Sequence, residues 1–155
     1  MKALFVVVLL VASCSFALAQ SDELISEHNQ LTTDCRSVRG HAQAIVVEAS
    51  QAELNVEVAQ AHAKEVVDHL ASMKELLPSS KKLLSSAQLK KVKAEYASLE
   101  KTCEELQKMG KELTDELDKE KPDEEKVRKI AFDMRTQMND GYRVYLQVKH
   151  KLGLQ

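Results

Sequence analysis

Tryptophan is absent from this 155-residue chain, and aromatic residues make up only 4 % of it. Proline occurs twice, at Pro78 and Pro122, and glycine four times. So few turn-formers exclude a sheet protein built on tight hairpins. No Gly-rich phosphate loop, paired-cysteine metal signature or nucleophile elbow occurs. Nucleotide binding and acyl transfer therefore have no motif to rest on. There is no Asn-x-Ser/Thr acceptor, so no N-linked glycan is expected. An excess of charge of one sign is also lacking: 22 basic residues stand against 24 acidic ones, a net charge of −2. A nucleic-acid binder would be strongly basic, and this chain is not.

Long apolar runs are confined to the start. Met1 and Lys2 precede Ala3 to Phe16, broken only by Ser13, Cys14 and Ser15, and Ala17-Leu18-Ala19 follows. A short basic start, an apolar stretch and small residues at the cleavage positions read as a secretory signal. The run is too short for a membrane anchor. Residues 1–19 are the expected leader, and residues 20–155 the expected single domain. Removing Lys2 with the leader lowers the basic count to 21 and moves the net charge to about −3. Cys14 leaves too. Cys35 and Cys103 then form an even pair in an oxidising compartment, for which an intramolecular disulfide is the simplest expectation, with two buried thiols or bridges between chains as the alternatives.

What the chain has in quantity is helical patterning. From Leu24 to Leu77, steps of four and three meet Leu24, His28, Leu31, Cys35, Val38, Ala42, Ile45, Ala49, Ala52, Val56, Ala59, Ala63, Val66, Leu70, Met73 and Leu77. Only His28 among them is strongly polar. A seven-residue repeat of this kind lays a narrow apolar seam along a helix and calls for a partner helix. Ser21, Asp22 and Glu23 suit a helix start, and Pro78 a stop. Ser85 and Gln88 have the spacing of a capping box. A second seam follows: Leu89, Val92, Tyr96, Leu99, Cys103, Leu106, Gly110, Leu113 and Leu117. A third runs through Val127, Ala131, Met134, Met138, Gly141, Tyr145, Val148 and Leu152, and Gly153 closes it. Glu124–Arg128 and Glu125–Lys129 are four-apart charge pairs in the favourable order.

Short connections make successive helices antiparallel. A first helix unbroken to Leu77 would project past the others and leave Leu24 to Val38 facing water. Burying one leucine is worth ~1.5–3 kcal/mol, so a reversal is favoured, and glycine tolerates the backbone it needs. The expected fold is all-α, an antiparallel four-helix bundle, with helices over 22–39, 41–77, 86–119 and 123–152 and a turn at about Gly40 to Ala44. An elongated three-helix coiled coil with one long first helix is the alternative.

Candidate chemistry is sparse. His62, Glu65 and His69 lie on one side of a helix and are zinc-ligand types. The two histidines are ~10.5 Å apart along the axis, too far to share an ion from one helix. They read as solvated flank residues, and His28 as a helix-end histidine near water. Met109, Met134, Met138, Tyr96, Tyr142 and Tyr145 give the later helices a bulky lining. Set against the alanine-rich second helix, expected over 41–77, it leaves room for a cavity between helices. No catalytic, metal or cofactor-binding residue is assigned. The sequence thus predicts a secreted, extracellular, non-enzymatic bundle that binds a partner protein or a small apolar ligand. It predicts no nucleic-acid partner and no stable membrane insertion. The other readings are an exchangeable lipid-surface binder and a self-associating extracellular coiled coil, a homo-oligomer.

Overall fold

Four helices run up and down in turn: α1 (Lys2–Glu48), α2 (Val56–Leu83), α3 (Ser86–Leu117) and α4 (Glu124–Leu152). The structure, a computed structural model, describes residues 2–154, and the side chains of residues 22–154. The side chains of the expected leader, residues 1–19, therefore lie outside the described residues. Each helix packs on its sequence neighbours and α1 packs on α4, while the diagonal pairs stay apart. The architecture is a four-helix bundle and not the three-helix alternative. Among the described residues no helix is long and apolar enough to cross a membrane.

The seams form the core. Leu24, His28, Leu31, Cys35, Val38, Ala42, Ile45 and Ala49 of the first seam are all buried. Ala59, Ala63, Val66, Leu70, Met73 and Leu77 of α2 face them. On the other side stand Val92, Tyr96, Leu99, Leu106 and Leu113 of α3, and Val127, Ala131, Met134, Met138, Tyr145 and Val148 of α4. Burial of these stripes, rather than helix propensity, is what makes such long helices stable.

The first reversal lies later than expected. Gly40 is an exposed residue inside α1, and the chain turns between Ala49 and Asn55. The end of α1 is tied off locally. The Ser50 hydroxyl donates to the Val46 carbonyl (2.6 Å), the Ser50 amide to Val47 (3.1 Å) and the Gln51 amide to Glu48 (3.1 Å). These satisfy carbonyls that a helix end leaves without partners. Leu54 is buried, and its amide donates to Glu124 Oε1 (3.4 Å). Asn55 then caps α2, its side chain accepting from the Val58 amide at 3.2 Å. Ala52, a seam position by periodicity, is an exposed loop residue.

Pro78 does not stop α2, which continues to Leu83. Proline removes one helical hydrogen bond and leaves the Lys74 carbonyl without it. Pro78 and Lys74 are both exposed, so water can serve that carbonyl. Nor does a helix begin at Ser21, because α1 runs through it. The capping box at Ser85 is formed: the Gln88 amide donates to Ser85 Oγ (3.3 Å), and the Ser85 amide to Gln88 Oε1 (3.0 Å). Asp123 caps α4, and Gly153 ends it in the left-handed region at φ 72°. Glu125 is not the partner of Lys129, which bonds Asp133 instead (2.8 Å). Glu124 turns toward Leu54 rather than Arg128.

The turn between α3 and α4 is held by a charge. Glu116 is 1 % exposed, yet it pairs with Lys119 (2.8 Å) and Lys126 (2.9 Å) and accepts from the Asp123 amide (3.2 Å). Those hydrogen bonds hold its carboxyl down at about 2, well below the usual carboxylate range.

Candidate functional site

On the outer side of α2, facing α3, the helices do not close. A groove of about 560 Å³ lies between them, floored by Ala63, Leu70 and Leu117, with the exposed Ala71 at its edge. Small side chains contribute to it: α2 presents Ala63 and Ala71 to the groove, and beside it Gly110 of α3 packs so closely that an added Cβ would touch Val67 Cγ2 at 3.5 Å. Small residues on both sides let the backbones approach but leave space beside them. The edges are polar. Gln60 Nε2 donates to the Leu117 carbonyl and to Asp118 Oδ1, both at 3.1 Å, and Gln107 Nε2 donates to the Leu70 carbonyl (3.3 Å). Lys64 and Lys111 also line the groove. Each is paired on its own helix, with Asp68 (3.0 Å) and Asp115 (2.6 Å). Such exposed pairs are weak, so both ammonium groups can change partner at little cost.

A polar centre lies inside the bundle. His28 is 1 % exposed, not near water as its sequence position suggested. The Tyr145 hydroxyl donates to the His28 carbonyl. Having spent its proton there, it accepts from His28 Nδ1–H at 3.0 Å. Nε2 is then the acceptor, and the Tyr96 hydroxyl donates to it (3.1 Å). Ser80 Oγ closes the chain, 3.1 Å from Tyr96 and 3.1 Å from the Leu77 carbonyl. All four helices are joined in this way. Burial, and secondarily the positive charge of Lys149, push His28 down to about 4. Burial raises the Tyr96 and Tyr145 hydroxyls above their ordinary values. The imidazole is therefore neutral at physiological pH, as its donor–acceptor chain requires.

A second histidine cluster sits where α1 faces α2. His41 Nδ1 is 3.0 Å from His62 Nδ1, and His69 Nδ1 is 2.9 Å from Asp34 Oδ1. Burial, then the neighbouring His62, lowers the pKa of His41. Ligand atoms of His41, Glu65 and His69 all lie within 4.8 Å of one another. His62, Glu65 and His69 were visible as a helical face, whereas His41 and Asp34 belong to a different helix and carried no local signal. Met134 and Met138 are core, and Met109 and Tyr142 are partly buried against it.

Cys35 and Cys103 are free, separate buried thiols in this structure. The expected disulfide is not made. The two sit on diagonal helices, and no Cα of α1 lies within 8 Å of a Cα of α3 among the described residues. A disulfide requires about 7 Å or less. Burial raises the thiols to about 12 and about 11. Cys35 and Cys103 should accordingly both be alkylated in the denatured, unreduced protein, while in the folded protein at pH 7 both should resist iodoacetamide. A Cys35–Cys103 cross-linked peptide in a non-reduced mass map would contradict this spacing.

Compared with known proteins, the chain matches no family model, no curated protein and no solved structure.

Proposed function

We propose that this protein is a secreted, non-enzymatic helical bundle that carries a small, largely apolar ligand with an anionic end in the groove between α2 and α3. The supporting observation is the groove itself: about 560 Å³, apolar on its floor, with Lys64 and Lys111 among its lining. That volume falls in the range of small-molecule sites, ~300–1,000 Å³. An alkyl tail would lie along Ala63, Leu70 and Ala71. The acid end would take an ammonium from its weak surface pair. The concave shape favours a small ligand over a flat protein partner.

The two rival readings have less support. Opening onto a lipid surface would break the His28–Tyr96–Tyr145 chain, and buried polar groups are costly to strand. Self-association was attractive because a straight first helix exposed its seam, and that seam is covered within one chain. Among the described side chains, the large apolar ones that remain exposed, Ile25, Val47, Val58, Val67, Phe132 and Leu146, are distributed over three helices.

Titration with a dansyl-labelled fatty acid tests the reading. Wild-type protein should bind about one equivalent with a blue-shifted emission. Ala71 is exposed, so Ala71→Trp can fill the groove from outside without disturbing the core. It should weaken binding at least about tenfold, a loss of ~1.4 kcal/mol. Unchanged binding in a natively helical Ala71→Trp variant rejects the groove as the site.

A further inference from the structure

On the face of α2 that packs against α1, we propose that His41, Glu65 and His69 form a binding site for a divalent cation of the zinc class, with Asp34 orienting His69.

The helices put the ligands together by register. Glu65 and His69 are four apart on α2, so they share a face one turn apart. A pair on one helix cannot enclose an ion, but α1 supplies the missing side. With the reversal centred between Glu48 and Val56, each step back along α1 matches a step forward along α2. Asp34 falls opposite His69, and His41 opposite His62. The His41 ring centroid lies 5.2 Å from that of His62 and 6.1 Å from that of His69. It therefore bridges two histidines that a single helix holds a full heptad apart.

The donor atoms of His41, Glu65 and His69 are within 4.8 Å of one another. Around tetrahedral zinc, bonds of ~2.0–2.1 Å place ligand atoms roughly 3.3 Å apart. Closing that difference needs side-chain rotation only. Glu65 is exposed and free to move, and His41 and His69 are half-buried. Two imidazoles and one carboxylate are ligands of the type that zinc and its neighbours accept, with a fourth position left for water.

Asp34 is the second, independent observation. Its side chain is 1 % exposed. It accepts from Gln30 Nε2 (2.9 Å) and Ser72 Oγ (2.7 Å), and meets His69 Nδ1 at 2.9 Å. A buried carboxylate is costly unless a positive charge balances it. Here the bonded group able to carry one is His69. An ion on His69 Nε2 would supply that charge through the ring. The same contact fixes Nδ1 as the protonated nitrogen and leaves the Nε2 lone pair for a metal. Carboxylate, imidazole and cation in a row is the usual outer-shell arrangement of histidine metal sites. The site lies on the opposite side of α2 from the groove, so the two proposals stand independently.

Full-length secreted protein, stripped with EDTA, should take up about one equivalent of Zn2+ by calorimetry. Co2+ should give the visible absorption of a tetrahedral site. Glu65→Gln alters an exposed side chain, so the fold should survive and affinity should fall at least about tenfold. His41→Gln and His69→Gln should do the same. Asp34→Asn should weaken binding by ~10–100-fold, although Asp34 would not touch the ion. His150→Gln, at the far end of α4, should change nothing. Zinc should raise the melting temperature of wild type but not of Glu65→Gln. Absence of uptake in wild type, or undiminished uptake in a helical His41→Gln/His69→Gln double variant, overturns the proposal.

Discussion

Between pH 6.5 and 4 the folded protein should lose about 3 kcal/mol of stability through His28 alone. Burial lowers its pKa from 6.5 to about 4. The unfolded chain therefore binds a proton in that window while the folded chain does not, and stability falls as pH falls. At ~1.36 kcal/mol per pKa unit, the shift is worth roughly 3 kcal/mol, fully present above pH 6.5 and gone by pH 4. The groups facing the ring are Tyr145 and Lys149 of α4 and Tyr96 of α3. None offers a negative charge at these pH values to stabilise an imidazolium. Carboxylates such as Glu116 titrate as well, but Glu116 is held at about 2, so its contribution is lost only lower down. Urea unfolding of wild type and His28→Gln at pH 7 and pH 4.5 separates the two. Wild type should lose about 2 kcal/mol more than the variant over that interval. Parallel losses would mean that His28 does not hold its neutral form in the core.

That buried chain also bears on how a bundle with so few large side chains keeps one arrangement. Alanine-rich α2 packs without strong shape preference, whereas each hydrogen bond from His28 to Tyr96 and Tyr145 has one donor and one acceptor. Shifting α1, α3 or α4 by one turn would strand at least two buried polar atoms, at ~1–3 kcal/mol each. The chain therefore fixes which residues of α3 and α4 meet α1.

Nearly every core position was legible in the sequence, because narrow seams in threes and fours leave little choice about which side faces in. The place where α1 turns was not. Ala49, Ala52 and Val56 keep the seven-residue phase across a loop, so periodicity ran on where the helix does not. The signals that decide the matter are short-range and polar: Ser50 and Gln51 closing one helix, Asn55 opening the next. This error also hid the histidine cluster. A turn at Gly40 to Ala44 would set Asp34 opposite residues near 50. Moving the reversal to its observed place brings Asp34 to His69 and His41 to His62. Single-helix geometry argued against His62 and His69 as a chelating pair, but it had no access to a third imidazole from another helix. A cavity was foreseen only as a consequence of alanines facing bulkier neighbours, and Ala63 and Ala71 do line the groove.

A proline scan across α1 should find the reversal directly. Gly40→Pro should destabilise by ~3 kcal/mol or more, since the ring clashes with the preceding turn and removes an interior helical hydrogen bond. Ala52→Pro should stay within about 1 kcal/mol of wild type. Ala52 is exposed, its φ is negative, and it lies in the loop between α1 and α2. The third variant, Gly40→Ala, has the opposite sign. No atom lies within 4 Å of where its methyl group would sit. Alanine there should stabilise by ~0.5–1 kcal/mol, because it narrows the unfolded ensemble and favours helix. If the chain instead reversed at Gly40 through a left-handed backbone, alanine would destabilise and proline at position 52 would break a helix. The sign of the Gly40→Ala effect, read from urea midpoints, therefore decides whether α1 is continuous and, with it, whether His41 and Asp34 stand where an ion on α2 would need them.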